Sequence, residues 1–261
     1  MFESAEKVHF ENDLFLVTTQ RENQFSSRIA LGAYGKRSAL DMQMKRDFVQ
    51  HKSTWLGVKA HYKIKDFPDN LVALHNFRGG YAGLSKTETG AVNFCYLTTY
   101  DSFKKEKDID SFNANVVSQN PFLADFLKDG EPLFKTPLSI AQISFDKKNA
   151  IETHMLMCGD SAGLIHPLCG NGMAMAIHSA KLASELVSNY FSDNTYTRKQ
   201  LEVAYQTAWD RTFKHRLWMG RRLQSLLLNP NMSQWALGTV GNSSWVLNKL
   251  IKSTHGKPIT L

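Results

Sequence analysis

The sequence predicts a mixed α+β and α/β fold, on three observations. Between Ser53 and Thr99, four successive segments have the composition and spacing of short strands, and the first, STWLGVKAHYKI, alternates apolar and polar residues as a half-buried strand does. From Met155 to Ala180, the stretch MLMCGDSAGLIHPLCGNGMAMAIHSA passes from an apolar strand through a glycine-rich turn into a helix. Thr197 to Leu228 favours helix, is basic on one side, and carries Trp209, Phe213, Leu217 and Trp218.

The totals narrow the classes. A chain of 261 residues with 43% hydrophobic and 21% charged residues is an ordinary globular protein, long enough for one large domain or two small ones. No run reaches the ~18 uninterrupted apolar residues of a spanning helix, and the acidic start MFESAEKVHF is not a secretory signal. A cytoplasmic location is the expectation. The formal charge of +7 gathers in Lys36 to Lys65 and Arg198 to Arg222, with no zinc-finger, RNP-type or KH-type signature beside it. Such charge suits a solvated surface or one facing cofactor phosphates, and nucleic acid is not expected as a partner. Cys95, Cys158 and Cys169 are too few and too scattered for a disulfide framework or a zinc site, so no metal is expected. Cys169 reads as a redox thiol or as a small buried apolar residue.

Taken in order, Lys7 to Phe10 and Leu14 to Thr18 are β-prone runs joined by Glu11-Asn12-Asp13, a hairpin. A third run, Arg28 to Ala33, ends in Gly32-Ala33-Tyr34-Gly35-Lys36-Arg37-Ser38, which sets backbone N–H groups and two cations where a phosphate can lie, or is a surface turn with solvated charge. Ser53 to Ile64, Leu71 to Phe77, Gly80 to Leu84 and Ala91 to Thr99 form an antiparallel sheet rich in aromatic rings, most of them core. In Gly79-Gly80-Tyr81-Ala82-Gly83, three glycines around a tyrosine admit a close approach of backbone or of a flat ligand. Pro121 divides the helical pattern of Ile109 to Lys128 at Asn120. Leu138 to Phe145 returns to strand, with Asp146-Lys147-Lys148-Asn149 as a turn. The segment Thr197 to Leu228 either caps its own domain or touches a membrane surface, the former being favoured. Trp235 to Ile251 reads as a last helical stretch, weakened by Gly238 and Gly241.

The stretch from Met155 to Ala180 has the layout of a ligand site. An apolar strand delivers Asp160 to a loop, and the free N–H groups where the helix starts near Gly172 can take an electron-rich ligand edge. Gly172, Ala176 and Ala180, four apart, give the helix a face without bulk.

Gly159-Asp160-Ser161-Ala162-Gly163, then Pro167, then Gly170-Asn171-Gly172-Met173 resembles the FAD-dependent oxidoreductases of the p-hydroxybenzoate hydroxylase type, which include geranylgeranyl reductases and flavin-dependent halogenases. The resemblance implies that Asp160 takes a ribityl hydroxyl and that the N–H groups from Gly170 to Met173 face the pyrimidine edge of the flavin, stabilising negative charge there on reduction. Gly159, Pro167 and Asn171 belong to the same implied seat, and Arg37 to the implied phosphate contact. RIALGAYGKRSALD, from Arg28 to Asp41, looks like a further family segment, but Tyr34 stands at its aspartate position and Asp41 at its arginine position. In the family that aspartate is linked to nicotinamide use, so direct nicotinamide reduction is put in doubt. GGYAGL is similar to a hairpin of the reductase branch. The family's Gly-x-Gly-x-x-Gly unit for the ADP half of FAD is not in this sequence. The resemblance therefore implies a form lacking that unit, roughly a hundred residues, with Met1 an internal start, a gene-model error or a true truncation. It divides the chain into a partial FAD-binding domain (1–50 and 150–192), an antiparallel-sheet substrate domain (51–149) and a C-terminal helical region (193–261).

The function expected is that of an FAD-dependent oxidoreductase, a reductase or a monooxygenase acting on a hydrophobic or aromatic small molecule, with an electron donor the sequence does not identify. Nothing in the sequence supports halogenation. His166 and Tyr81 are the candidate proton donors, His166 reading at least equally as a packed, hydrogen-bonded loop residue. The alternative is a non-catalytic binding module that keeps the apolar cavity without full FAD binding.

Overall fold

The computed structural model describes residues 3–228, 232, 238, 243–256 and 259. Two compact units divide the chain: unit 1 is Met1–His51, Phe145–Arg222 and Ser244–Leu261, and unit 2 is Lys52–Ser144 and Leu223–Ser243.

Unit 1 opens with an antiparallel meander of β1 (Ala5–Glu11), β2 (Leu14–Thr19) and β3 (Gln24–Ser27). Asn12 and Asp13 turn the hairpin with φ of 50° and 61°, the left-handed pair that matches the twist of the flanking strands. Phe15 of β2 is fully buried. The run from Arg28 to Ala33 contributes only the two-residue strand β4 (Leu31–Gly32). Two short helices follow in the basic stretch, α1 (Ala39–Gln43) and α2 (Asp47–Gln50). Ser38 and Asp41 form a capping box at the start of α1.

Unit 2 is built on β5 (Trp55–Lys63), β6 (Val72–Phe77), β7 (Gly80–Lys86) and β8 (Val92–Thr99), followed by α3 (Tyr100–Phe103), α4 (Ile109–Asn115), α5 (Pro121–Asp129), β9 (Glu131–Pro132) and β10 (Leu138–Ile143). The strands run in the order β10-β5-β8-β7-β6, all antiparallel, with β9 also paired to β5. Alternation decides the faces: Leu56, Val58, Ala60 and Tyr62 of β5 and Val92, Phe94 and Tyr96 of β8 join Phe112, Leu123 and Phe126 of α4 and α5 in one core. Edge-to-face rings knit it, Phe126 lying 5.1 Å from Tyr62 and Phe112 5.9 Å from Phe77. Pro121 is the first residue of α5, and Asn120 caps it by accepting from the Phe122 N–H at 3.1 Å. Two of the glycines beside Tyr81 answer to close neighbours within the unit: a Cβ on Gly80 would collide with the Leu97 carbonyl, and one on Gly79, at φ +85°, with the Ser102 side chain.

The chain then returns to unit 1. The side chains of His51 and Asp146, at the two ends of the long excursion, meet at 3.2 Å. β11 (Ile151–Glu152) and β12 (Met155–Met157) form a small sheet with β4, in which β12 and β4 run parallel. After it come α6 (Gly172–Ser192), α7 (Arg198–Trp209), a π-helical turn over Asp210–Lys214, α8 (His215–Leu228) and α9 (Ser244–His255). Met175 and Ala183 of α6 pack with Leu201, Tyr205, Trp209, Phe213 and Leu217 against β12. Those apolar residues of Thr197 to Leu228 are thus the core of unit 1, each fully buried side chain being worth about 1.5–3 kcal/mol. Among the described residues no helix is long and apolar enough to cross a membrane. Of the stretch from Trp235 to Ile251, positions 235–237 and 239–242 lie outside the described residues.

Candidate functional site

The strand β12 ends at Met157, and after Cys158 the chain turns at Gly159–Ser161 in a single 3-10 turn. Gly159 has φ +60°, and a Cβ there would stand 3.0 Å from the Cβ of Ala176 and 3.3 Å from its Cα. Only glycine lets the turn lie this close to α6. The Gly159 N–H donates to Ser179 Oγ at 2.8 Å, and Ser179 in turn donates to the Ala176 carbonyl at 2.9 Å. Ser161 fastens the other side, its buried hydroxyl meeting the carbonyls of Cys158 and Gly32. The parallel ladder between β4 and β12 continues into the turn through the Cys158 N–H, which donates to the Gly32 carbonyl at 3.0 Å.

This framework lines a cavity of about 230 Å³ bordered by Ala33, Gly35, Cys158 to Asp160, Gly172, Met173, Ala176 and Ala180. The Asp160 side chain is half-buried, and no described donor hydrogen-bonds its carboxylate. Burial raises its pKa, opposed by the charges of Lys148 and Lys36. Opposite it, α6 begins without a side-chain cap. The first main-chain bond at this end runs from Met175 N–H to the Asn171 carbonyl at 3.0 Å, so the N–H groups of Gly172, Met173 and Ala174 have no partner within the helix. A lone carboxylate acceptor thus faces a positive helix end across an apolar floor of small side chains.

Two buried cations hold the turn from behind. Arg46 is paired with Asp41 at 2.9 Å and with Glu152 at 3.1 Å, and its Nη1 also donates to the Ser161 carbonyl at 2.9 Å. Tyr34 completes the cluster, donating to Asp41 at 2.6 Å and accepting from Arg46 at 3.2 Å. The two departures from the family pattern, Tyr34 and Asp41, are therefore one hydrogen-bonded unit with Arg46. Lys148 donates to the carbonyls of Asp160 at 2.8 Å and Lys36 at 2.7 Å, with the Phe48 ring 4.2 Å from its ammonium. Neither cation stood out in the sequence, because Lys148 sits in a polar turn and Arg46 in a basic run, where solvated charge is the ordinary reading.

The residues expected at the site fare differently. Gly159, Asp160, Gly172 and Met173 line the cavity. Gly170 stands beside the helix start with φ +65° and open space around it, and Pro167 begins the preceding 3-10 turn. Asn171 contributes main chain only, its amide being turned to the Thr254 carbonyl at 2.7 Å. Arg37 is half-buried in the Gly32 to Ser38 turn and does not border the cavity. His166 is 3% exposed, its ring stacked on Phe145 at 3.7 Å, with no hydrogen bond to either nitrogen among the described residues. Burial, with Arg221 nearby, lowers its pKa to about 3, so it carries no imidazolium proton to give at neutral pH. The packed reading describes it, though without the hydrogen bonds that reading included. Tyr81 belongs to β7 of unit 2, where it is buried opposite Leu97 in the ladder. Cys169 is buried and its thiol pushed up to about 11, which suits packing rather than a reactive thiolate. Among the described residues no cluster of His, Cys, Asp and Glu could hold a metal ion.

Comparison with known proteins bears on this arrangement. Residues 136–213 match the squalene epoxidase family. The conditioned medium factor receptor 1 of Dictyostelium discoideum is 24% identical over 151 residues, which are 57% of this chain and 29% of that protein. In fold, the chain is similar to HpxO of Klebsiella pneumoniae, solved with FAD and uric acid (TM-score 0.76, 12% identity, 98% of this chain and 67% of that one). It is similar also to the flavin-dependent brominase Bmp2 (TM-score 0.75, 16% identity, 98% and 65%) and to the flavin-dependent halogenase CmlS (TM-score 0.69, 15% identity, 83% and 41%). The chain thus spans under a third of the curated relative and between 41% and 67% of these solved chains. The fold, with its antiparallel sheet and its parallel strand pair beside a long helix, is that of the FAD-binding flavoenzymes.

Proposed function

We propose that this chain carries the ring and ribityl half of an FAD site and serves an FAD-dependent oxidoreductase, a monooxygenase or reductase acting on a hydrophobic or aromatic small molecule. The observation that carries the reading is the Asp160 carboxylate, which has no hydrogen-bond donor among the described residues, beside the uncapped start of α6 and a glycine whose replacement would crowd Ala176. The residues present fit that half of the cofactor. Asp160 is free to accept from a ribityl hydroxyl, and the N–H groups of Gly172 and Met173 are free to meet the electron-rich edge of the ring. Ala176 and Ala180 keep the helix face flat, and Met173, 84% exposed, supplies apolar cover. When bound, FAD supplies the redox chemistry that no side chain here can supply. The chain contributes a fixed acceptor and a fixed positive helix end, both in place before any charge develops.

The squalene epoxidase match supports an apolar substrate and, within the p-hydroxybenzoate hydroxylase type, the monooxygenase side of the choice. The Tyr34–Asp41–Arg46 cluster turns inward and presents no free carboxylate at the position that the family links to nicotinamide use. This supports an electron donor other than nicotinamide acting directly.

The test is titration of the 261-residue chain with FAD and with riboflavin, followed by flavin fluorescence. Both are expected to bind weakly, with similar affinity, because the contacts are to the part they share. Asp160→Ala is expected to weaken both about tenfold, one charge-assisted hydrogen bond being worth ~1.5 kcal/mol. Failure of both flavins to bind, or affinity indifferent to Asp160→Ala, overturns the reading and leaves a module without a flavin.

A further inference from the structure

Unit 1 contains a second and larger cavity, about 480 Å³, none of whose described lining residues borders the first. Its walls are Leu164, Trp209, Leu217 and Trp218, and its rim carries Lys147, Lys214 and Arg221. We infer that this cavity binds an amphipathic anion, a carboxylate or phosphate monoester on an acyl or aryl body.

Three features of the chain build the site. The π-helical turn over Asp210–Lys214 interrupts the α7–α8 rod. Wider than an α turn, it brings Trp209 and Lys214, five residues apart, to one wall, so that an indole and an ammonium face the same space. Gly163 shapes the opposite side. A Cβ there would come within 2.8 Å of Leu217 and 3.6 Å of Trp209, so the bare main chain lets the loop close on the apolar floor. The third feature is the split between floor and rim. Trp209 and Leu217 are buried, whereas the Trp218 indole is 45% exposed at the mouth with the Arg222 guanidinium 5.4 Å over its ring.

Charge selects the head group. Lys147 and Lys214 are exposed and have no ion-pair partner among the described residues. Lys148 also lines the cavity, but its ammonium is spent on the carbonyls of Asp160 and Lys36. Two carboxylates share the rim, and one of them, Asp146, is engaged by His51. Lys147, Lys214 and Arg221 outnumber Asp146 and Asp210, and the mixed apolar and cationic surface matches a ligand with one apolar end and one acidic end. A volume of 480 Å³ lies within the ~300–1,000 Å³ of small-molecule sites.

The experiment titrates the full chain with dodecanoate, dodecyl phosphate and 1-dodecanol, each below its micelle threshold, and reads tryptophan fluorescence and calorimetric heat. Saturable binding of one or both anions, at least tenfold tighter than the alcohol, is expected. The stronger of the two identifies the head group as carboxylate or phosphate. The Lys147→Glu/Lys214→Glu double variant, altered only at exposed positions, should keep the wild-type melting temperature and lose at least tenfold in anion affinity. Trp218→Phe should reduce the fluorescence change while the heat signal persists. Equal affinity for alcohol and anions, or a charge-reversed variant that binds as well as wild type, overturns the inference. Flavin titration run in parallel reads the other cavity, so a protein that fails one test and passes the other separates the two readings.

Discussion

The ammonium of Lys148 donates a 2.8 Å hydrogen bond to the main-chain carbonyl of Asp160, so the residue that positions the candidate ribityl acceptor is a cation 8% exposed to solvent. Its second bond, to the Lys36 carbonyl at 2.7 Å, ties the turn after β4 to the turn after β12. Burial is the main reason its pKa falls to about 8, the nearby Arg46 charge adding to the effect. A neutral amine still has two N–H bonds, one for each carbonyl, and loses only the desolvated charge. Because the folded value lies below the unfolded 10.5, the unfolded chain binds the proton more tightly between the two. This group's contribution to stability is therefore complete above about pH 10.5 and is lost as pH falls through about 8. The wild type should gain on Lys148→Met as pH rises across that window, by up to ~1.4 kcal/mol per pH unit. Urea unfolding of both proteins at pH 7 and 9.5 measures the gap, and a gap that closes with rising pH counts against the assignment.

Arg46 and Asp41 pose a different problem, because both side chains are almost wholly buried, at 1% and 0% exposure. Removing one leaves the other charged and dry, so Arg46→Met should destabilise by about 3–5 kcal/mol. Replacing both, in Arg46→Met/Asp41→Leu, should recover part of the loss, since no buried charge is then orphaned. Tyr34→Phe removes a single hydroxyl and should cost about 1 kcal/mol. Denaturation midpoints order the three variants, and a double variant less stable than Arg46→Met would contradict the scheme.

Two glycines with almost the same backbone separate conformational strain from crowding. Gly159 and Gly170 have φ of +60° and +65°, but only the first has atoms where a Cβ would go. Gly170→Ala should cost the left-handed penalty alone, about 1–2 kcal/mol. Gly159→Ala should cost more, because Ala176 must move, and should also weaken flavin binding by shifting Asp160. Thermal melts and flavin titration on the two variants distinguish the effects, and equal losses would argue that α6 yields at no expense.

His166 predicts behaviour in acid. Its folded pKa of about 3 lies below the ordinary 6.5, so its contribution to stability is full above about pH 6.5 and is lost as pH falls toward 3. His166→Leu, which cannot take up the proton, should flatten the decline in stability between pH 6 and 4, up to ~1.4 kcal/mol per pH unit being attributable to one group. An unchanged acid limb in the variant would assign the decline to other residues.

Periodicity and punctuation carried most of the fold. The alternation in Ser53 to Ile64 became β5, the expected hairpin became β1 and β2, and Pro121 began α5 one residue after the predicted break. These features are local, so the sequence states them. What it did not show depends on contacts between distant segments. QFSS pairs as β3 only because β2 is alongside, and its own residues give no strand signal. Arg28 to Ala33 kept two residues of strand because its one described partner, β12, is three residues long. At the site, glycine and aspartate were readable through turn chemistry, as was the start of α6. Arg46 was not, since its burial is made by Asp41, Glu152 and Ser161, the last two more than a hundred positions away. The π turn likewise left no mark in a segment whose composition favours continuous helix.

The meeting of His51 and Asp146 at 3.2 Å bears on how this protein can be re-engineered. The two ends of the segment from Lys52 to Ser144, the longer of the two excursions from unit 1, therefore lie side by side, while Leu223–Ser243 also belongs to unit 2. Replacing such an insert by a few glycines closes a short gap, whose entropic cost grows only slowly with length. Whether Asp160 and α6 keep their places without the sheet of unit 2 is then open to direct test at that junction, provided Leu223–Ser243 is replaced with it.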